Sequence, residues 1–202
     1  MNFRSTKKYF SQHIELYGNE IYKPIDLDIQ RTSCSLKSVY ETLDIFEVAI
    51  ENCEKCNLSR TRNKFVFGSG DPNADLFLIG EGPGQEEDLN GKPFVGRAGK
   101  LLDKILKAIG YARENNIYIA NIVKCRPPEN RNPLSSEIEE CLPYLKNQIA
   151  LVKPKLIVAL GKVAAQTLLK KDLLITEMRQ VTHYFSTIPL VVTYHPAALL
   201  RN

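Results

Sequence analysis

A chain of 202 residues, 44% of them apolar, can bury one substantial core, so a single domain with an appended segment is expected. No run of about 18 apolar residues occurs, which argues against a membrane-spanning helix, and the polar, basic stretch from Met1 to Phe10 lacks the apolar centre of a secretory signal. A cytoplasmic protein is therefore expected, in which five cysteines are metal ligands or buried thiols rather than a disulfide framework, and a net charge of +4 permits an acidic partner such as nucleic acid.

Phe10, Ile14, Tyr17 and Ile21 recur at helical spacing, as do Val39, Leu43, Phe46 and Ile50. Residues 1–50 thus read as a helical N-terminal extension, and the pattern changes after Cys56. Leu76–Ile79, Ile117–Val123, Leu156–Leu160 and Leu190–Thr193 are short apolar runs flanked by Gly or Pro, the signature of strands. Between them, Ala98, Leu101, Leu102, Ile105, Leu106 and Ile109 form a helical stripe closed by Gly110, a natural C-terminal stop. Ser136 with Glu139 predicts a capping box for a helix running through Ile149, with Pro143 shifting its start or kinking it. A third helix is predicted over Lys162–Leu169. Alternating strands and helices imply an α/β fold, a mainly parallel sheet covered on both faces, with ligands bound beyond the carboxyl ends of the strands.

Three constellations carry chemistry. Cys53 and Cys56 stand two residues apart, and Cys125 and Cys141 fifteen apart, flanking the loop Arg126–Pro133. Four thiolates suit Zn2+ or an iron–sulfur cluster, and the wide second spacing favours the cluster; buried apolar thiols are the alternative. Cys34 falls outside the set. The run Gly80-Glu81-Gly82-Pro83-Gly84 follows a strand and lets a ligand approach the main chain, although it is neither a P-loop nor a dinucleotide fingerprint. Glu86, Glu87 and Asp88 come next, and then Phe94, an aromatic ring between glycines that suits a planar ligand. Asn121 ends a strand and offers a donor and an acceptor on one side chain, the pair that reads a base edge or else caps its own loop. His195, between a strand and Pro196, sits where a histidine can donate to a developing oxyanion, although most lone histidines do not, and His13 and His183 have no such context.

In order along the chain, Gly80–Gly84, Gly91-Lys92-Pro93-Phe94-Val95-Gly96-Arg97-Ala98-Gly99, Asn121-Ile122-Val123-Lys124-Cys125-Arg126-Pro127-Pro128 and His195-Pro196-Ala197-Ala198-Leu199-Leu200-Arg201-Asn202 resemble uracil-DNA glycosylase family 4, the iron–sulfur branch of its superfamily. The resemblance covers residues 53–202, about three-quarters of the chain. It implies a three-layer α/β/α fold around a four-stranded parallel sheet, residues 51–202 forming the catalytic domain. It implies a structural 4Fe–4S cluster on Cys53, Cys56, Cys125 and Cys141, with Zn2+ as the alternative metal, and Arg126 and Arg131 on DNA phosphates. The implied reaction is release of uracil from a flipped deoxyuridine in single- or double-stranded DNA by a monomeric enzyme. Phe94 would stack on the base, Asn121 read its amide edge, Gly80, Glu81 and Gly82 line the pocket, Glu87 fill the space of a thymine methyl, and His195 stabilise the departing uracilate. The best-known branch of the superfamily has an aspartate where this chain has Gly82, so Glu81, Glu87 and Asp88 are the candidates to orient water. Relatives also continue past the last motif into a closing helix that is not found before Asn202. A non-catalytic nucleic-acid-binding module and a glycosylase for another deaminated base are the competing readings.

Overall fold

The computed structural model describes residues 36–200, which lie in one compact unit that starts at Ser33. Among these residues the strands are β1 (Ser69–Gly70), β2 (Leu76–Gly80), β3 (Ile117–Asn121), β4 (Leu156–Leu160), β5 (His183–Phe185) and β6 (Ile188–Thr193), paired in the order β1-β3-β2-β4-β6-β5. The pairs β3-β2, β2-β4 and β4-β6 are all parallel, so the four predicted strands form the parallel centre. Short antiparallel strands, β1 and β5, extend it at both edges. Neither edge strand was legible in the sequence: β1 is two residues containing Gly70, and β5 is three residues, His183-Tyr184-Phe185, with no Ile, Val or Leu.

Side chains alternate across the sheet and divide the core in two. Phe77 and Ile79 of β2, Tyr118 and Ala120 of β3, and Ile157 and Ala159 of β4 pack on one face with α1 (Leu43–Ile50). Leu78, Ile117, Ile119 and Leu160 face the other side with Phe94. On that second face lie, in chain order, α2 (Gln85–Asn90) and α3 (Arg97–Ala108), the latter contributing Leu102 and Leu106 to the cluster. The first face is also covered by α4 (Ser135–Val152), α5 (Lys162–Leu169) and α6 (Ile175–Met178), through Leu145, Ile149, Ala164, Leu168 and Met178. A final short helix, α7 (Pro196–Leu199), follows β6. The α/β/α layering is thus as the sequence implies. None of the helices among the described residues is long and apolar enough to cross a membrane.

Local signals set the boundaries. Thr42 caps α1 by accepting the Ile45 N–H, which leaves Val39 outside the helix and 87% exposed rather than on its apolar face. Beyond α3, Gly110 takes φ +82 and the Tyr111 N–H returns to the Leu106 carbonyl, closing the helix as its sequence predicts. The predicted cap of α4 needs correcting. Glu137, not Glu139, is the capping carboxylate: it accepts the Leu134 N–H at 2.7 Å, and the helix starts at Ser135 and runs through Pro143. Glu137 wins because Arg131 also grips it, at 2.7 and 2.9 Å, whereas Glu139 is exposed. The helix predicted over Phe10–Ile21, together with His13 and Cys34, falls outside the described residues.

Candidate active site

Parallel pairing sets Gly80 opposite Asn121 at the carboxyl ends of β2 and β3, and everything in the pocket is built on that pair. A Cβ on Gly80 would lie 2.5 Å from Asn121 Oδ1 and 2.6 Å from Phe94 Cζ, so glycine is what lets the ring and the amide meet over the sheet. Phe94 is buried at φ +54, a left-handed conformation that costs a bulky residue of order 1 kcal/mol. Surrounding groups impose it. One Glu87 oxygen accepts the Val95 and Gly96 N–H groups, both at 2.8 Å, while the other accepts that of Gly84 at 3.2 Å. From below, α3 comes so close that a Cβ on Gly99 would lie 1.7 Å from the Phe94 carbonyl oxygen.

The His195 ring lies 5.4 Å from that of Phe94, centroid to centroid, tilted by 32°. His195 caps α7: its Nδ1 accepts the Ala197 N–H at 3.1 Å, so the neutral imidazole carries its proton on Nε2. Asn121 is 2% exposed, and its Oδ1 has no hydrogen-bond partner. A buried amide oxygen left unpaired costs about 1–3 kcal/mol, so it marks a place where a ligand N–H completes the site. These groups line an open pocket of about 350 Å³ with Glu81, Gly82, Glu87 and the loop residues Pro127 and Asn130 to Asn132. Burial holds the Glu81 carboxyl above the ordinary carboxylate range. At Gly82 a Cβ would fall 2.8 Å from Val123 Cγ2, so any side chain there, an aspartate included, requires Val123 to move.

On the far side of the Asn121–Cys125 segment, Cys53, Cys56, Cys125 and Cys141 line one small cavity with Phe65 and Tyr144, and all four are free thiols. Three of them accept hydrogen bonds: Cys53 Sγ from the Tyr144 hydroxyl at 3.2 Å, Cys125 Sγ from Arg62 at 3.3 Å, and Cys141 Sγ from the Lys124 N–H at 3.3 Å. Donors aimed at sulfur fit thiolates that carry negative charge in a bound centre. Burial pushes the Cys141 thiol up to about 12, against the pull of Lys124, and raises that of Cys125 against Arg62. Among the described residues no group of three or more His, Cys, Asp or Glu side chains is arranged to hold a metal ion. Four soft thiol donors lining one cavity are a donor set that suits either Zn2+ or an iron–sulfur centre.

The profile of the Uracil DNA glycosylase superfamily matches residues 67–202. The type-4 uracil-DNA glycosylase of Archaeoglobus fulgidus is 42% identical over 168 residues, covering 79% of this chain and 84% of the relative. That of Thermotoga maritima is 40% identical over 164 residues, covering 80% and 85%. The chain belongs to the type-4 uracil-DNA glycosylases. A type-5 uracil-DNA glycosylase of Pyrobaculum aerophilum is 31% identical over half of each chain.

Within this type-4 glycosylase the pocket brings together Gly80, Glu81, Gly82, Glu87, Phe94, Asn121 and His195. Asp88 is not among them: its buried carboxylate accepts from the Asn63 N–H and side-chain amide, at 2.9 and 2.5 Å, and braces the segment before β1. Arg131 reaches the pocket rim but is bound to Glu137, and Arg126 holds Asn130 Oδ1 at 2.8 Å, so both arginines shape their loop. The sequence reading missed Lys124. Its fully buried ammonium donates to the Asn121 carbonyl at 2.8 Å and to Gln148 at 2.6 Å, and burial lowers its pKa to about 8 while the charges of Cys141 and Cys125 oppose the shift. A lysine within an apolar strand end beside a cysteine was the available signal.

Proposed function

We propose that this glycosylase draws a deoxyuridine out of the DNA stack and hydrolyses its N-glycosidic bond, and that the observation carrying the assignment is the orphaned Asn121 Oδ1 facing a pocket walled by Phe94. Uracil supplies what that pocket lacks. Its N3–H satisfies Oδ1, its O4 accepts from the same amide's Nδ2, and its ring lies on Phe94, whereas cytosine presents an amine where Nδ2 needs an acceptor. Glu87 stands across the pocket floor where a thymine methyl would go, held there by the main-chain N–H groups it accepts.

As the C1′–N1 bond lengthens, its electron pair passes to the base and negative charge gathers on O2. The Nε2–H of His195 stabilises that charge, which it does better in the transition state than in the bound substrate. Water adds to C1′ and gives up a proton. Of the three carboxylates considered, Asp88 lies outside the pocket and Glu87 is committed to backbone N–H groups, which leaves Glu81 to orient the water and take its proton. Uracil leaves as the anion and an abasic site remains.

Cys53, Cys56, Cys125 and Cys141 would hold a 4Fe–4S cluster, rather than Zn2+, which when bound ties the loop of residues 126–133 and α4 to the segment before β1. Arg126 and Arg131 then present the loop to DNA phosphates and give a salt-dependent share of affinity. We assign the enzyme to the cytoplasm as a monomer acting on single- or double-stranded substrate.

The test is uracil release from a labelled oligonucleotide with one deoxyuridine, against thymine and cytosine controls, using protein purified without oxygen. Release from deoxyuridine alone is expected. Salt-sensitive binding with no base released, from brown protein, would make it a binding module and overturn the assignment.

A further inference from the structure

Phe94 holds a conformation that its residue type disfavours, and the means by which it does so reach beyond the pocket. The peptide unit that follows it is gripped from opposite sides by opposite charges, and each neighbouring unit is held by one of the two. On the N–H side stands Glu87, accepting from Val95 and Gly96. On the carbonyl side stands Arg113, from the loop after α3: its Nη1 donates to the Pro93 carbonyl at 2.7 Å and its Nη2 to the Phe94 carbonyl. The Nε–H donates to Asp103 of α3 at 2.6 Å. The guanidinium is thus seated by one carboxylate and spends its fork on two consecutive carbonyls. Arg113 is 17% exposed and does not line the pocket, so its contacts serve the main chain rather than a base.

We infer that Arg113 is a positioning residue for base recognition, acting through Phe94, an inference that rests on the reading of Phe94 as the surface on which uracil stacks. The ring has little tolerance for movement. With the Asn121 amide it borders the space over Gly80, and it lies 5.4 Å from the His195 ring, so a relaxation of φ at residue 94 shifts it relative to the groups that read the base edge. Releasing the two carbonyls allows that relaxation, since positive φ is the less stable state for phenylalanine once the clamp is gone. Lysine cannot replace the arginine, because one ammonium does not reproduce a planar fork with three fixed partners.

The experiment is a double-mutant cycle of Arg113→Ala and Phe94→Ala, with single-turnover rate, KM and inhibition by free uracil as readouts and melting temperature as the control. Stacking of a base on an aromatic ring sets the scale, so Phe94→Ala should weaken uracil binding roughly 5- to 150-fold. Arg113→Ala should raise KM and weaken inhibition by free uracil within that range, and should add little in the Phe94→Ala background, because both changes remove one element. Arg113→Lys should resemble Arg113→Ala, and Asp103→Asn should show a smaller loss of the same kind; these two carry the test if Arg113→Ala does not fold. Equal losses from Arg113→Ala in both backgrounds, or a lower melting temperature with unchanged uracil inhibition, overturns the inference while leaving the stacking reading intact. Normal uracil binding by Phe94→Ala overturns the stacking reading and the inference together.

Discussion

The base pocket and the cysteine cavity lie on either side of one five-residue segment, Asn121 to Cys125, yet they are finished in opposite ways. In the cavity, three of the four sulfurs already accept a hydrogen bond from Tyr144, Arg62 or the Lys124 main chain. In the pocket, Asn121 keeps a buried oxygen without a partner, and Phe94 keeps a strained backbone. In the first region the polar contacts are already made, as befits a part that stabilises the fold. The other leaves a polar atom and a strained backbone for a ligand to offset, which is the expected signature of a recognition site. Damage to the first should therefore appear mainly in the folded state, and damage to the second mainly in catalysis.

The largest effect should come from Cys141→Ala. If the four cysteines hold the proposed centre, loss of one ligand to a group that would join three distant stretches of chain should cost several kcal/mol, a fall of about 10 °C or more in Tm for a chain of this size. Calorimetry with iron analysis checks it, and an unchanged Tm would break the contrast between the two regions. Gly80→Ala should do the reverse. Its Cβ falls within 2.6 Å of both Asn121 Oδ1 and Phe94 Cζ, so one or both must leave position, and kcat/KM for uracil release should drop about 100-fold with little change in Tm.

How much of this could be read beforehand differs between the regions for physical reasons. The four parallel strands are continuous Ile, Val and Leu runs, and they appear where their apolar content puts them; β1 and β5, lacking that content, exist only because a neighbouring edge offers hydrogen bonds. Phe94 and His195, which line the pocket, stood out in the sequence through the motifs they sit in, since a glycine-flanked ring or a lone histidine has many other uses. The roles of carboxylates did not. Glu87 and Asp88 are adjacent in sequence, yet one faces the pocket and the other is buried against Asn63 and Lys64, a difference set by helical rotation and by which N–H groups each meets. Likewise the fork of Arg113 cannot be predicted from its sequence neighbours, because its partners lie 10 to 20 residues away.

Glu81→Gln sharpens the pocket side. Removing a general base should lower the single-turnover rate about 100-fold or more at neutral pH. The base must be ionised to work, so the wild-type rate should fall as pH drops through the raised pKa that burial gives Glu81, above the usual carboxylate range. In the glutamine variant that acid limb should vanish. The same shift has a stability consequence of defined sign: the folded state binds the proton more tightly than the unfolded chain, so its contribution to stability is present at low pH and is lost as pH rises from the unfolded to the folded pKa. Retention of the wild-type rate and acid limb in Glu81→Gln would remove Glu81 as the base.

The smallest effect isolates the cavity. Tyr144→Phe deletes the hydroxyl that donates to Cys53 Sγ at 3.2 Å while keeping the ring that packs at 6.1 Å, centroid to centroid, against Phe46. The phenol is held protonated well above its ordinary range by burial and by its bond to Cys53, so it acts as a donor across the working pH range. One such bond contributes about 1 kcal/mol, which predicts a fall in Tm of about 2–4 °C. Iron should be lost faster to a chelator, because a sulfur that gives up a donor holds its charge less well. Uracil release by protein that has kept its iron should be unchanged, since Tyr144 does not line the base pocket. A slower chemical step with normal iron content would show that the two sides of the Asn121–Cys125 segment are coupled, and the separation drawn above would then fail at its most sensitive point.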